Sequence, residues 1–240
     1  MMKRRGSCSR CLSHVSAFAG YRFPPDVIML AVRWYLRFGL SYRDVEELLA
    51  ESVASTSTMS RCTGGATLTP LLIEAARPCR HVVGDRWFVD ETYVKVAGVW
   101  RYVYRAVDQH GQVIDVYVSP NRDAASALRF FTSAMSAHGD PTEVVTDQAA
   151  SLLHAIEDLI PAAFHNTDQY ANNRIENDHG RLKARLRSIR GLKRDRTASV
   201  VIGGHAFIQK LRDGHYELGA DARHNHLRVA AAFDQLTEVL

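Results

Sequence analysis

The chain has 240 residues, 46% of them hydrophobic and 23% charged, with a formal net charge of +4 and a pI of about 8.9. That composition is globular, allows a sizeable core, and excludes disordered and collagen-like classes. The cysteines, Cys8, Cys11, Cys62 and Cys79, are too scattered for a disulfide scaffold, and no apolar run approaches the ~20 residues that span a membrane.

Residues 1–19 show no clear period and read as a flexible lead-in. Cys8, Cys11 and His14 have zinc-like spacing, but no second pair follows to complete a site. Pro24, Pro25 and Asp26 open a helix whose stripe is Val27, Leu30, Ala31, Trp34, Tyr35 and Phe38, and Gly39 stops it. Ser41 is the expected N-cap of a second helix, with Asp44 as its capping-box partner and Val45, Leu48 and Leu49 facing the first. This pair is helix-turn-helix-like. The pattern then breaks over 52–68, where Ser, Thr and Gly dominate, before a short helix over 71–76.

From Arg86 the texture changes to strands. Residues 87–96, 101–107 and 113–118 alternate and are rich in β-branched and aromatic residues, with a turn signal at His110-Gly111. A helix over 124–137, a strand over 143–146, a helix over 152–160 and a strand over 163–165 follow. The stretch from Arg174 to Arg187 is an amphipathic helix with Ile175, Leu182 and Leu186 inward, and Glu176, His179, Lys183 and Arg187 together on a neighbouring face. Residues 200–240 read as helical. The order β-β-β-α-β-α-β-α predicts an α/β fold built on a mixed sheet, behind a small N-terminal helical region.

Asp90 sits inside the first strand and Asp147 ends the fourth, where functional groups of α/β sheets gather. If these strands are neighbours, the two carboxylates face each other and Glu176 reaches them from its helix. Three oxygen donors of this kind suit Mg²⁺ or Mn²⁺, and two such ions serve phosphodiester displacement. Arg181, Lys183, Arg185, Arg187, Arg190, Lys193, Arg194 and Arg196, against Asp195 alone, form a positive field suited to a polyanion.

The run Trp87-Phe88-Val89-Asp90-Glu91-Thr92-Tyr93-Val94-Lys95-Val96 resembles transposases of bacterial insertion-sequence family six. So do Tyr104-Arg105-Ala106-Val107-Asp108, Val145-Thr146-Asp147, and Asn172-Asn173-Arg174-Ile175-Glu176-Asn177-Asp178-His179-Gly180-Arg181-Leu182-Lys183. Arg22-Phe23-Pro24 and the stretch from Leu40 to Leu49, which contains Arg43, match as well. The resemblance implies a ribonuclease-H-like, integrase-like catalytic domain over 79–200 with Asp90, Asp147 and Glu176 as a metal-binding DDE triad. It also implies Lys183 as a basic residue near the DNA phosphate, a DNA-binding helical region over 20–78, and a C-terminal helical segment over 201–240. Arg43, Arg181, Lys183, Arg185, Arg187, Arg190, Lys193 and Arg194 are the expected DNA contacts. The expected activity is cleavage that exposes DNA 3′ ends, followed by strand transfer forming cointegrates. It calls for DNA, for further copies of the chain, and for a place in the cytoplasm on the nucleoid.

The chain departs from the family pattern in two places. Gln148-Ala149-Ala150-Ser151-Leu152 replaces the charged residue, alanine, proline and tyrosine that commonly follow the second aspartate. Over 52–68 the recognition helix of the family is missing, although the length is preserved. Plausible codons for residues 55–65, read one base out of phase, restore a family-like string, which suggests a pair of compensating frameshifts. That leaves two alternatives to an active transposase: a DNA-binding remnant without catalysis, or a ribonuclease-H-like nuclease without strand transfer.

Overall fold

Alternation of side chains along the first strand organises the molecule. The computed structural model describes residues 16–21, 23–53, 65–168, 171–189 and 191–240. In it β1 (Arg86–Val96) is the middle of a five-stranded sheet of order β3-β2-β1-β4-β5. It pairs antiparallel with β2 (Val99–Asp108), which pairs antiparallel with β3 (Val113–Ser119). On its other side it runs parallel to β4 (Glu143–Val145), itself parallel to β5 (Phe164–Asn166). This is the ribonuclease-H-like mixed sheet expected from the sequence.

Successive strand residues face opposite sides, and the two cores follow that rule. Trp87, Val89 and Val144 pack with Phe130, Phe131, Leu152 and Ile156, which come from α4 (Ala124–His138) and α5 (Ala150–Leu159). Phe88, Val107, Val113 and Val145 pack on the other face with Ile175 and Ala206, from α6 (Asn173–Ser188) and α7 (Asp195–Asp213).

The N-terminal helices are α1 (Pro25–Phe38), α2 (Tyr42–Val53) and α3 (Gly65–Ala76). Gly39 ends α1 in the left-handed region at φ 72°, a conformation that glycine adopts without a Cβ penalty. The expected capping box is present: Ser41 N–H donates to Asp44 Oδ2 at 2.7 Å, and Asp44 N–H to Ser41 Oγ at 3.2 Å. The buried face of α1 is wider than the expected stripe, because α1 touches α2, α3, α7 and α8 (Arg228–Val239). Ile28, Met29, Val32 and Leu36 are buried with Ala31 and Tyr35, whereas Phe38 is exposed. In α2, Val45 and Leu49 turn inward and Leu48 is exposed.

The helix expected over 71–76 begins earlier, at Gly65, and contains Pro70. Packing overrides the weak local propensity there: Leu68, Thr69, Leu72 and Ala76 are all fully buried. Gly204 lets α7 approach this layer closely, since a Cβ at that position would stand 2.6 Å from Leu36 Cδ2 and 3.1 Å from Thr69 Cγ2. The lead-in with Cys8, Cys11 and His14, and residues 54–64 of the altered segment, lie outside the described residues. Among those described, no helix is long and apolar enough to cross a membrane.

Candidate active site

Strand register brings the two aspartates together. Phe88 pairs with Val145 across the parallel β1–β4 ladder, so Asp90, still inside β1, and Asp147, just past the end of β4, lie abreast two residues further on. Both share the parity of Phe88 and Val145 and therefore face the α6 side. Oxygens of Asp90, Glu91 and Asp147 all lie within 4.8 Å of one another. Asp90 is half-buried, with Oδ1 accepting from the Glu91 backbone N–H at 2.8 Å. Asp147 is exposed, and its Oδ1 accepts from Ala149 N–H at 3.2 Å.

The α6 helix is anchored at this point of the sheet. Asn172, at its N-cap, donates from Nδ2 to the Val89 carbonyl at 3.1 Å, one residue before Asp90. Ile175 packs with Phe88 and Val145, which puts Glu176, exposed in the first turn, on the Asp90 side of the sheet but outside the 4.8 Å group of Asp90, Glu91 and Asp147. One turn later His179 Nδ1 stands 3.4 Å from Asp90 Oδ2. A turn beyond that, Lys183 Nζ lies 5.2 Å from the centre of the Tyr93 ring of β1. Of the predicted helix face Glu176, His179, Lys183 and Arg187, the structure thus brings His179 and Lys183 to β1 and leaves Glu176 and Arg187 exposed.

Sequence reasoning passed over Glu91 and Arg122. Glu91 has the opposite parity to Asp90 and turns toward α4, where the Arg122 guanidinium binds Glu91 Oε1 through Nε and Nη2. Its side chain is 2% exposed, and burial pushes its carboxyl up while Arg122 pulls it down. Asp90 and Asp147 act on both partners, so Arg122 is a fixed cation beside the acidic group.

A buried polar triad holds α6 against the sheet and α7. Arg105 of β2, opposite Asp90 in the ladder, is fully buried and pairs through Nε with Asp178. Its Nη2 donates to Gln209 Oε1 at 2.7 Å, and Gln209 Nε2 donates to Asp178 Oδ1 at 2.6 Å. His205 of α7 lies beside this triad, and burial with the Arg105 charge holds its imidazole down to about 3. The unfolded chain regains an ordinary imidazole and so binds more protons at mildly acidic pH. Stability should therefore be lost as pH falls from about 6.5 toward 3. Urea midpoints measured across that range should fall with pH, and the slope should shrink in His205→Leu.

The expected basic surface is only partly a surface. Arg181, Arg187, Lys193 and Arg194 are exposed, as is Arg43 on α2. Arg190 lies outside the described residues. Arg185 turns inward instead: it is buried, donates to the Tyr35 carbonyl of α1 and lies over the Tyr35 ring. Burial lowers its pKa, and its place in the fold is to pin α6 to α1.

The carboxylate oxygens of Asp90, Asp147 and Glu91 are hard donors of the kind Mg²⁺ and Mn²⁺ take, and their spacing suits a shared cation. The DDE domain of IS240-type transposases matches residues 84–215 of the chain. The chain is 36% identical over 169 residues to the transposase for insertion sequence-like element IS431mec of Staphylococcus aureus, covering 68% of this chain and 75% of the relative. The transposase for insertion sequence element IS257 in transposon Tn4003, also from Staphylococcus aureus, matches at the same identity and coverage. Among solved structures, the HTLV-2 integrase catalytic core domain in complex with magnesium aligns with a TM-score of 0.44 and 19% identity, over 55% of this chain and 88% of that one. The BIV integrase catalytic core domain aligns with a TM-score of 0.40 and 16% identity, over 65% of this chain and 99% of that one. With strand order, paired aspartates and the sequence relatives in agreement, the chain belongs to the DDE transposases of bacterial insertion-sequence family six.

Proposed function

We propose that the chain cuts DNA at the ends of an insertion sequence and joins the exposed 3′ ends to target DNA, with Asp90, Asp147 and Glu176 as the catalytic carboxylates and Lys183 on a DNA phosphate. The observation that supports this most directly is the parallel register that sets Asp90 and Asp147 abreast, under a helix anchored at Val89 and carrying Glu176. Water attacks the phosphorus and the bond to the 3′ oxygen breaks, freeing a 3′-hydroxyl. That hydroxyl then attacks a target phosphodiester, and a second 3′-hydroxyl leaves. Two Mg²⁺ or Mn²⁺ ions bound by the three carboxylates would supply Lewis-acid stabilisation of the attacking and leaving oxygens.

The chain's own residues set the geometry. His179 contacts Asp90 and holds its carboxylate in one orientation. The Arg105–Asp178–Gln209 triad fixes the helix on which Glu176 rides. Exposed cations on and beyond α6, Arg181, Arg187, Lys193 and Arg194, offer DNA positive charge, as does Arg43 on α2. Arg190 remains a DNA contact expected from the sequence. Paired element ends call for more than one copy of the chain on DNA, in the cytoplasm where the nucleoid lies.

The altered segment 52–68 favours one rival, a DNA-binding remnant that has lost end recognition. A cointegrate assay in cells separates the two by comparing this chain with a version whose codons for 52–68 are restored to the alternative frame. Cointegrates from this chain are the expected result for a working transposase. Cointegrates from the restored version alone would identify this chain as a relic with sound chemistry. In vitro, metal-dependent nicking without joined products would instead mark a nuclease.

A further inference from the structure

The edge of the sheet away from β4 and β5 carries a second cluster of cations. A cavity of about 340 Å³ opens there between β3, the C-terminal half of α4, α7 and the turn that follows α3. Its polar floor is Lys210, Arg80 and His138, and its apolar wall includes Ile73, Val116 and Phe207. Lys210 is 8% exposed. Its Nζ lies 5.9 Å from the centre of the Tyr216 ring, and among the described residues its ammonium has no carboxylate or other hydrogen-bond acceptor.

Arg80 likewise forms no ion pair among the described residues, although the charges of Asp115 and Asp108 act on it. It donates from Nε to Gln112 Oε1 at 2.9 Å and from Nη2 to the Val113 and Ile114 carbonyls at 2.8 and 3.1 Å, while Nη1 meets His138 Nε2 at 3.0 Å. Of the two acids that line the cavity, Asp115 accepts from Ser133 Oγ and the Val116 N–H, and Glu74 pairs with Arg77 at 3.6 Å. A buried ammonium beside a half-buried guanidinium, neither in an ion pair among the described residues, is costly to hold unless something negative joins them.

We propose that this cavity is an anion site that takes a phosphate group, with its charge on Lys210 and Arg80 and any organic body of the ligand against Ile73, Val116 and Phe207. A tetrahedral oxyanion fits these donors, since the ammonium offers three N–H groups and the guanidinium lies beside it. The site is separate from Asp90, Asp147 and Glu176. Its phosphate has two possible sources, a DNA backbone held away from the catalytic carboxylates or a small free phosphate ester.

The groups that face Lys210 are Arg80 before β1, Asp115 on β3, Arg105 on β2, His138 on α4, Glu74 and Arg77 at the end of α3, and Tyr216 after α7. Burial, with Arg80 adding to it and Asp115 opposing it, brings the Lys210 amine down to about 7. An anion binds the protonated amine, so phosphate affinity falls as pH rises above about 7.

Calorimetric titration of the full chain with inorganic phosphate at a pH of about 6.5 tests the site. Saturable binding of one phosphate is expected, weakening at least about tenfold in Lys210→Met through loss of a charge-assisted contact. Lys183→Met should bind phosphate like the unaltered chain, which separates this site from the catalytic face and from the proposed transposition chemistry. If Lys210→Met misfolds by circular dichroism, Lys210→Gln supplies the same comparison. Displacement of phosphate by a short DNA duplex would identify the backbone as the source, whereas unchanged phosphate affinity in its presence would identify a free phosphate ester. No saturable binding, or undiminished binding in the Lys210 variants, overturns the proposal.

Discussion

Asp178→Ala should lower the stability of the fold by about 3–5 kcal/mol, because it strands a fully buried guanidinium without its carboxylate. The loss exceeds what a surface ion pair would show, and Gln209 cannot replace the charge because its amide is neutral and itself loses the Asp178 acceptor. Replacing all three partners by apolar residues (Arg105→Met, Asp178→Leu and Gln209→Met together) should recover much of that loss, since no buried polar group is then left unpaired. Urea unfolding of the single and triple variants measures both effects. A single variant within about 1 kcal/mol of the unaltered chain would show that the triad does not hold α6.

Glu176→Gln should leave the melting temperature almost unchanged and abolish strand transfer. The side chain is exposed in the first turn of α6, so folding does not depend on its charge. In the proposed role Glu176 is a metal-binding carboxylate, and its loss is worth several kcal/mol at the transition state, about a thousandfold or more in rate. Glu91→Gln is the informative companion. Glu91 lies in the 4.8 Å cluster with both aspartates, but Arg122 holds its Oε1 and leaves only the buried Oε2 without a partner, and its neutral variant should keep activity within about tenfold. A reversed ranking in a strand-transfer assay, with Glu91 essential and Glu176 dispensable, would move the third catalytic carboxylate from α6 to β1.

Much of the sheet was legible because its strands alternate. The expected strands over 87–96, 101–107 and 113–118 fall within β1, β2 and β3, with Asp90 inside the first as anticipated and Asp147 just past the end of β4. Helical spacing likewise placed Glu176, His179 and Lys183 on one face. The rest depended on which element lies over which. Period-two alternation puts Glu91 on the opposite side of β1 from Asp90, so nothing local brings it to the same cluster. Arg105, Asp178 and Gln209 come from β2, α6 and α7, and only the folded packing makes them one network. Arg185 was indistinguishable from its basic neighbours in the sequence; α1 alone turns it into a buried residue.

The seat of Arg185 on Tyr35 also bears on how the molecule can be divided. Residues from α1, α2 and α3 share one hydrophobic cluster with α7 and α8 and with Val94, Val96 and Val103 of the sheet. A fragment cut just before β1 would strip that cluster of Ile28, Val32, Leu36, Leu68 and Leu72, and leave Arg185 without its carbonyl. The five-stranded sheet is therefore not a detachable cassette: graft or truncation boundaries that keep it soluble must retain the helices in front of it.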